Sequence, residues 1–180
     1  MTSETRNKIG LGLLGAAFAF LVIAITAALW FGEKSPADPD NSQQAALGKS
    51  VYDGRCASCH GVRLEGQPNW QGKLPSGRMP APPHDASGHT WHHPDAMLFG
   101  MTKYGLVPGK YAPPGYQSDM LAFGGMLSDE QIWAVLAYIK SSWPPDIRET
   151  QREMNLKQSR RRVGSAHDCS RPRFATGAPA

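Results

Sequence analysis

Two cysteines and a histidine form the part of this sequence with the clearest chemical potential. Cys56, Cys59 and His60 stand in the pattern Cys-x-x-Cys-His. Two thiols at this spacing can each form a thioether with a different vinyl group of one porphyrin, and the adjacent imidazole then reaches the iron from the same side. A redox-active dithiol or half of a zinc site would use the same two cysteines.

The rest of the sequence disfavours these two rival interpretations. The third cysteine, Cys169, stands alone in a polar and basic segment, so a zinc site lacks further ligands at a suitable spacing. A thioredoxin-like dithiol requires alternating strands and helices, and that pattern does not surround Cys56. The sequence therefore predicts one covalently bound haem c, attached through Cys56 and Cys59, with His60 as the proximal iron ligand.

Three predicted helices position this motif. The first covers residues 43–59 and carries an apolar stripe ahead of the cysteines. The second covers residues 94–104 and is followed directly by glycine. The third begins with a capping box formed by Ser128 and Gln131, continues with an apolar face, and ends at Trp-Pro-Pro.

The segment between the first and third helices is unusual in composition. Residues 61–127 include 11 glycines and 9 prolines and show no alternation typical of strands. A loop region of this length is uncommon in a compact domain unless something else fills the interior. A covalently bound porphyrin would provide that filling. We therefore expect an all-α fold in which three main helices and long loops wrap around one haem.

The opposite face of the iron needs its own assignment, and from the residues alone methionine, histidine or no ligand remain open. Met120 lies in a loop just before the third helix, 60 residues after His60, where it can fold over the other porphyrin face. Met126 also lies near that helix, but its apolar neighbour indicates a packing role. Met97 and Met101 are four residues apart on the second helix, which is typical of core positions.

The chain from about residue 45 to residue 143 resembles a class I c-type cytochrome domain. The resemblance rests on Gly48 and Tyr52 ahead of the haem motif, on Cys-Ala-Ser-Cys-His-Gly, and on Lys-Tyr-Gly after the second helix. It also rests on Met-Leu-Ala-Phe before a helix that ends Leu-Ala-Tyr-Ile-Lys. In that family the methionine of a Met-Pro-x-Phe segment is the distal ligand, which implies Met120 here, with Leu121 in place of the usual proline.

The resemblance implies two further contacts. The family packs its first helix across its last through a glycine and an aromatic ring, and Gly48 and Tyr52 match those positions, with Val135 and Tyr138 as expected partners. A proline carbonyl in the family accepts a hydrogen bond from the axial histidine, and Pro82 is our choice among several prolines.

Four further histidines lie within ten residues: His84, His89, His92 and His93. They could bind copper or zinc, or one of them could replace the methionine as the distal ligand. Because no cysteine or carboxylate pattern completes a metal site, positions at the surface or at the haem edge are favoured.

The haem crevice is expected to be lined by aromatic side chains: Trp70, Trp91, Tyr111 and Tyr116. Arg78 or a tryptophan N–H is expected to bind a propionate.

The N-terminal region predicts a membrane anchor. Residues 9–31 contain no charged side chain and only one hydroxyl, and a helix of 23 residues is long enough to span a bilayer. Arg6 and Lys8 precede this stretch, which places the N-terminus in the cytoplasm. A cleaved secretory signal is the competing interpretation, but its apolar region is normally about 7–15 residues long. Both interpretations export the domain that follows.

These features divide the chain into four regions. They are residues 1–31, the cytoplasmic N-terminus and transmembrane signal-anchor; 32–43, a loose linker; 44–146, the cytochrome c domain; and 147–180, a basic tail expected to be disordered. The formal net charge is +4, but the tail alone carries eight basic and three acidic residues. The remainder is nearly neutral, which disfavours nucleic-acid binding.

Ligation by histidine and methionine predicts an electron carrier rather than an enzyme, because it leaves no open position on the iron and favours the ferrous state. The expected location is the bacterial cytoplasmic membrane, with the haem domain on its periplasmic side. The expected partners are a terminal oxidase, a quinol–cytochrome c reductase or a dehydrogenase. Two alternatives stay open: a haem c electron-accepting subunit of a dehydrogenase or copper-handling complex, and a haem sensor or peroxidase if the sixth ligand is absent.

Overall fold

The structure is a computed structural model that describes residues 18–22 and 35–168 of the chain. The chain divides into two compact units, Met1–Ser35 and Pro36–Ala180. In the first unit, residues 18–22 form a short helical stretch, and the rest of the predicted anchor, residues 9–31, lies outside the described residues. Within the described ranges, no helix combines the length and the apolar character needed to cross a membrane.

The second unit consists of helices and loops. Residues 35–168 contain no β-strand, and the strand-like pairing found there consists of two isolated bridges, Met79 with Ser118 and Pro108 with Ala112. The helical architecture with long loops that the sequence predicts is confirmed for this part of the chain.

Helix α1 (Ser42–Arg55) leads into the cysteine motif. Its first turn is capped by Asn41, whose side-chain oxygen accepts from the Gln44 backbone N–H at 3.0 Å. An asparagine cap of this kind satisfies one of the backbone donors that a helix start leaves without a partner. The cap therefore determines that α1 begins directly after Asn41.

The haem motif itself interrupts the helix. Cys56 ends α1, and a second, four-residue helix, α2 (Ala57–His60), completes the motif. Gly61 then ends this helix with a φ of +81°, a conformation that favours glycine. The single helix predicted over residues 43–59 is therefore two helical segments that meet at Cys56.

Helices α3 (Asp95–Tyr104) and α4 (Asp129–Ser141) follow a 3₁₀ turn at Thr90–His92. The predicted capping box is present at the start of α4. Ser128 Oγ accepts from the Gln131 N–H at 3.2 Å, and the Ser128 N–H donates to Gln131 Oε1 at 2.9 Å. The second and third predicted helices are thus confirmed.

Helix α1 crosses α4 at a glycine. Gly48 is buried, and a Cβ there would overlap the carbonyl oxygen of Ala134 and crowd Tyr138. Tyr52, one turn later, packs its ring against Tyr138 with the centroids 5.4 Å apart, and it shares a core cluster with Val135. The expected contacts of Gly48 and Tyr52 are confirmed, and a side chain at position 48 would force the two helices apart.

The predicted linker, residues 32–43, packs onto the domain from Pro36 onward. Ala37 has no exposed surface and lies in a core cluster with Leu98 of α3 and Leu136 of α4. The expectation of a loose spacer is wrong for this part, because burial of Ala37 fixes the segment against two helices.

Helix α5 (Pro145–Asp168) occupies most of the region predicted to be a disordered tail, residues 147–180. Gln151 is 1% exposed, and its side-chain amide donates to Asp95 Oδ1 at 2.6 Å. Asn155 Nδ2 donates to Asp95 Oδ2 at 2.9 Å, and Asn155 Oδ1 accepts from the Asp95 N–H at 2.7 Å. The prediction of disorder is wrong up to residue 168, because polar side chains attach this helix and leave no hydrophobic pattern in the sequence.

Asp95 also forms a buried ion pair with Lys140 of α4. Lys140 Nζ lies 2.8 and 3.0 Å from the two carboxylate oxygens, and the two side chains are 6% and 7% exposed. One carboxylate thereby joins the start of α3, the end of α4 and the first turns of α5.

Replacing Asp95 with alanine should destabilise the folded protein by about 3–5 kcal/mol, because Lys140 would stay buried without the carboxylate. Asp53→Ala is the matched control, since Asp53 pairs with Lys49 at the surface at 2.6 Å. Loss of such an exposed pair costs at most about 1 kcal/mol. Urea unfolding followed by far-ultraviolet circular dichroism measures both changes. Equal destabilisation by the two substitutions would contradict the role given to Asp95.

Candidate functional site

A cavity of about 970 Å³ lies between helices α1 to α4 and the loops that join them. Cys56, Cys59 and His60 all line it, so the three motif residues share one space. Met120 lines the same cavity from the loop ahead of α4. Ligand sites in proteins usually have volumes of about 300–1,000 Å³, so this cavity suits a large ligand.

His60 is held by a backbone carbonyl. Its Nδ1 lies 2.9 Å from the carbonyl oxygen of Pro82, and since this oxygen can only accept, Nδ1 carries the proton and Nε2 keeps its lone pair. The ring is 8% exposed, and burial lowers the pKa of His60, an effect that the bond to Pro82 partly opposes. The choice of Pro82 is confirmed, and His60 offers a neutral, oriented imidazole to a metal ion.

His84 packs flat against His60. The two ring centroids are 4.0 Å apart and the ring planes differ by 19°. Burial, together with the neighbouring His60 ring, lowers the pKa of His84 well below its usual value, so both rings are neutral near pH 7. Sequence reasoning missed this pair. The sequence feature that could have revealed the pair is the position of His84, two residues after Pro82, whose carbonyl accepts a hydrogen bond from His60.

The other histidines of the predicted cluster each pack on an aromatic ring, and His89 and His93 also line the cavity. His89 stacks on Trp70 with the ring centroids 5.2 Å apart, and His92 stacks on Trp91 at 3.7 Å. His93 meets His89 edge to face at 5.5 Å. Within residues 18–22 and 35–168, no group of three or more histidine, cysteine, aspartate or glutamate side chains is arranged to bind a metal ion.

Two of the four aromatic residues expected in the crevice are present there. Tyr111 and Tyr116 line the cavity, and burial raises the pKa of Tyr116. Trp70 and Trp91 instead pack on imidazoles of the histidine-rich loop. The expectation is therefore wrong for the two tryptophans, because each of them stacks on the flat ring of a histidine instead.

The loop that carries Met120 is fixed by the segment around Met79. The backbone of Met79 forms an isolated bridge with Ser118, and the Arg78 guanidinium donates to the Ser118 carbonyl at 3.1 Å. Arg78 Nε also lies 2.5 Å from a carboxylate oxygen of Asp119. Arg78, a candidate propionate ligand from the sequence, thus holds the two residues that precede Met120. No periodic pattern links segments 40 residues apart, so the sequence carries no signal for this contact.

The two cysteines of the motif occupy different environments. Burial raises the pKa of Cys56 to about 11, so its thiol is protonated near neutral pH, whereas Cys59 is exposed. Exchange between dithiol and disulfide proceeds through a thiolate, which this burial disfavours. A thioether has no proton to lose, so it fits the buried position.

The residues around the cavity fit a covalently attached porphyrin. They provide two thiols for its vinyl groups, a neutral imidazole for its iron, and an apolar surround that includes thioether side chains. A helical protein with this site is a c-type haem protein.

Comparison with known families gives the same class. Residues 45–143, slightly more than half of the chain, match the family model described as Cytochrome c. The chain therefore belongs to the cytochrome c family, whose members are generally haem-based electron carriers, and it carries covalently bound haem c. Comparisons with curated proteins and with solved structures found no match.

Replacing both Cys56 and Cys59 with serine should abolish covalent haem attachment. The folded state should be lost with it, since a ligand that binds only the folded state stabilises that state. Haem staining of denaturing gels measures attachment, and circular dichroism measures folding. Cys169→Ser changes the one cysteine outside the motif and should leave both signals unchanged. Covalent haem on the double variant would contradict the assignment.

Proposed function

We propose that this protein is a single-haem electron carrier whose iron is bound by His60 on one side and Met120 on the other. The observation that carries the proposal is that both side chains line the cavity that also holds Cys56 and Cys59. The cofactor supplies a one-electron couple between ferric and ferrous iron. The protein then contributes ligands, their orientation, and exclusion of water.

The two proposed ligands have different roles. His60 binds through Nε2, because the bond from its Nδ1–H to the Pro82 carbonyl selects that tautomer. Met120 offers a polarisable thioether, which favours the ferrous state and raises the reduction potential. With both sides of the iron occupied, no position is left for a substrate, so the chemistry is transfer of an electron and not catalysis.

The choice of Met120 rests on its loop, because three other methionines line the cavity: Met79, Met97 and Met101. Contacts from Arg78 and Met79 hold Ser118, two residues before Met120, and this support for the loop favours Met120 over the other sulfur atoms. Met126, by contrast, is 46% exposed. The competition among sulfur atoms makes Met79 the natural comparison for an experiment.

Replacing Met120 with alanine should remove the weak far-red absorbance band that a methionine–iron bond gives the oxidised protein, and should lower the reduction potential. The potential falls because the ligand that favours ferrous iron is gone. Met79→Ala is the matched control, as it removes a thioether that lines the same cavity, and it should keep the band. Visible spectra and a redox titration measure both properties.

Loss of the far-red band in Met79→Ala, with the band kept in Met120→Ala, would show that Met79 is the ligand. Carbon monoxide discriminates further, because only iron with an open or labile position binds it rapidly. Rapid binding by the reduced wild-type protein would contradict the carrier and support the alternative of a haem sensor or peroxidase.

We also propose that residues 9–31 anchor the protein in the bacterial cytoplasmic membrane, with the haem domain on the periplasmic side. The proposal is supported by the uncharged 23-residue stretch and by Arg6 and Lys8 ahead of it. The proposed partners are a terminal oxidase, a quinol–cytochrome c reductase or a dehydrogenase. An anchor would raise the effective concentration of the carrier near such membrane complexes. Co-purification in a fixed ratio with one partner would instead favour a permanent subunit of a dehydrogenase or copper-handling complex.

The full chain should remain in the membrane fraction after alkaline carbonate washing, and protease added to spheroplasts should digest its haem domain. A variant in which a cleavable secretory signal replaces residues 1–31 is the matched control, and it should be released as a soluble periplasmic protein with its haem. Release of the full chain by the wash would contradict the anchor. Protection of the haem domain from protease would contradict the orientation.

A further inference from the structure

The Pro82 carbonyl alone does not determine the plane of the His60 ring. Rotation about the bond between Cβ and the ring of a histidine has a broad energy profile. A single N–H···O bond also tolerates a considerable range of angles, even at the 2.9 Å found here. A second contact is needed if the ring is to keep one orientation.

His84 provides this contact through the face of its ring. The two imidazole planes are within 19° of parallel and their centroids are 4.0 Å apart, which is the separation of atoms in van der Waals contact. Because the rings are nearly parallel, a rotation of His60 out of this plane would drive one of its edges into His84. The hydrogen bond to Pro82 and the face of His84 therefore restrict different motions of the same ring.

His84 is itself held by contacts from several directions, so its ring can restrict rotation of the His60 ring. Its Nδ1 is 2.8 Å from the hydroxyl of Thr90, which is buried. Its backbone N–H donates to the Leu64 carbonyl at 2.8 Å, and its carbonyl accepts from Trp143 Nε1 at 2.7 Å. The Tyr52 ring approaches edge-on at 6.4 Å.

We propose that His84 is a positioning residue that fixes the plane of the His60 ring, and with it the orientation of the proximal iron ligand, through ring stacking. This inference rests on the proposed function, because it takes His60 as an iron ligand. The plane of an axial imidazole determines how the unpaired electron of oxidised iron is distributed over the porphyrin. A ligand plane that stays the same in both oxidation states also reduces the rearrangement that accompanies each electron transfer.

Nuclear magnetic resonance of the oxidised holo-protein tests the proposal, because the four haem methyl resonances respond to the plane of the axial imidazole as well as to the orientation of the methionine, which these variants do not alter. His84→Leu should change the order and spread of these resonances, whereas His84→Phe, which keeps a flat ring, should restore a pattern close to that of the wild type. Thr90→Val removes the partner of His84 Nδ1, together with the longer bond from the Thr90 hydroxyl to the Pro83 carbonyl at 3.4 Å, and should shift the pattern part of the way towards that of the leucine variant. His92→Leu is the matched control, since His92 stacks on Trp91 and not on His60, and it should leave the pattern unchanged.

A methyl pattern in His84→Leu identical to that of the wild type would overturn the proposal, as would equal changes in the leucine and phenylalanine variants. If His84→Leu fails to fold with haem, the other two variants decide. A wild-type pattern in His84→Phe together with a partial shift in Thr90→Val supports the proposal, and an unshifted pattern in Thr90→Val or a changed pattern in His84→Phe overturns it. Failure of the proposed function has a different signature. The wild-type protein itself would then lack the strongly shifted methyl resonances of low-spin, six-coordinate iron.

Discussion

An interior space of about 970 Å³ is the constraint on which the rest of this structure depends. The cavity is bounded by helices α1 to α4 and is partly open to solvent. A large bound ligand is therefore needed to complete the apolar contacts between these helices. Attachment through Cys56 and Cys59 makes these contacts permanent. The loops of residues 61–127 can be rich in glycine and proline because the cofactor provides apolar surface that contacts among the loops, such as the bridge between Met79 and Ser118, do not supply.

The loops around the cavity are positioned by side chains that bind backbone carbonyls. Such loops lack the repeating hydrogen bonds of helices and strands, and their buried polar groups need other partners. In each of three such bonds, the donor side chain belongs to a helix or follows its end. The donors and the carbonyls that accept from them are Tyr52 and Gly61 at 2.8 Å, His60 and Pro82 at 2.9 Å, and Trp143 and His84 at 2.7 Å. The Pro82 carbonyl that orients the His60 ring thus belongs to a set that holds residues 61–84 of the loop region.

Local chemistry in the sequence was sufficient to predict the haem motif, the capping box at Ser128 and the helix crossing at Gly48, because each depends on residues a few positions apart or on a known family pattern. The attachment of α5 was not predictable in this way. Gln151 reaches Asp95 from 56 residues further along the chain, and a polar contact of that kind has no periodicity to reveal it. The stacking of His84 on His60 was missed although its signal, the position of His84 two residues after Pro82, was present in the sequence.

The two sides of the proposed iron site differ in how firmly they are held. His60 is held in three ways. Its neighbour Cys59 is bound covalently to the haem, its Nδ1–H donates to the Pro82 carbonyl, and the His84 ring packs parallel to it. The loop of Met120 depends on a short backbone bridge and on the ion pair between Arg78 and Asp119, whose side chains are 42% and 71% exposed. Exposed ion pairs contribute little, and a thioether side chain is flexible. We therefore expect heat or denaturant to break the proposed bond to Met120 before the proposed bond to His60.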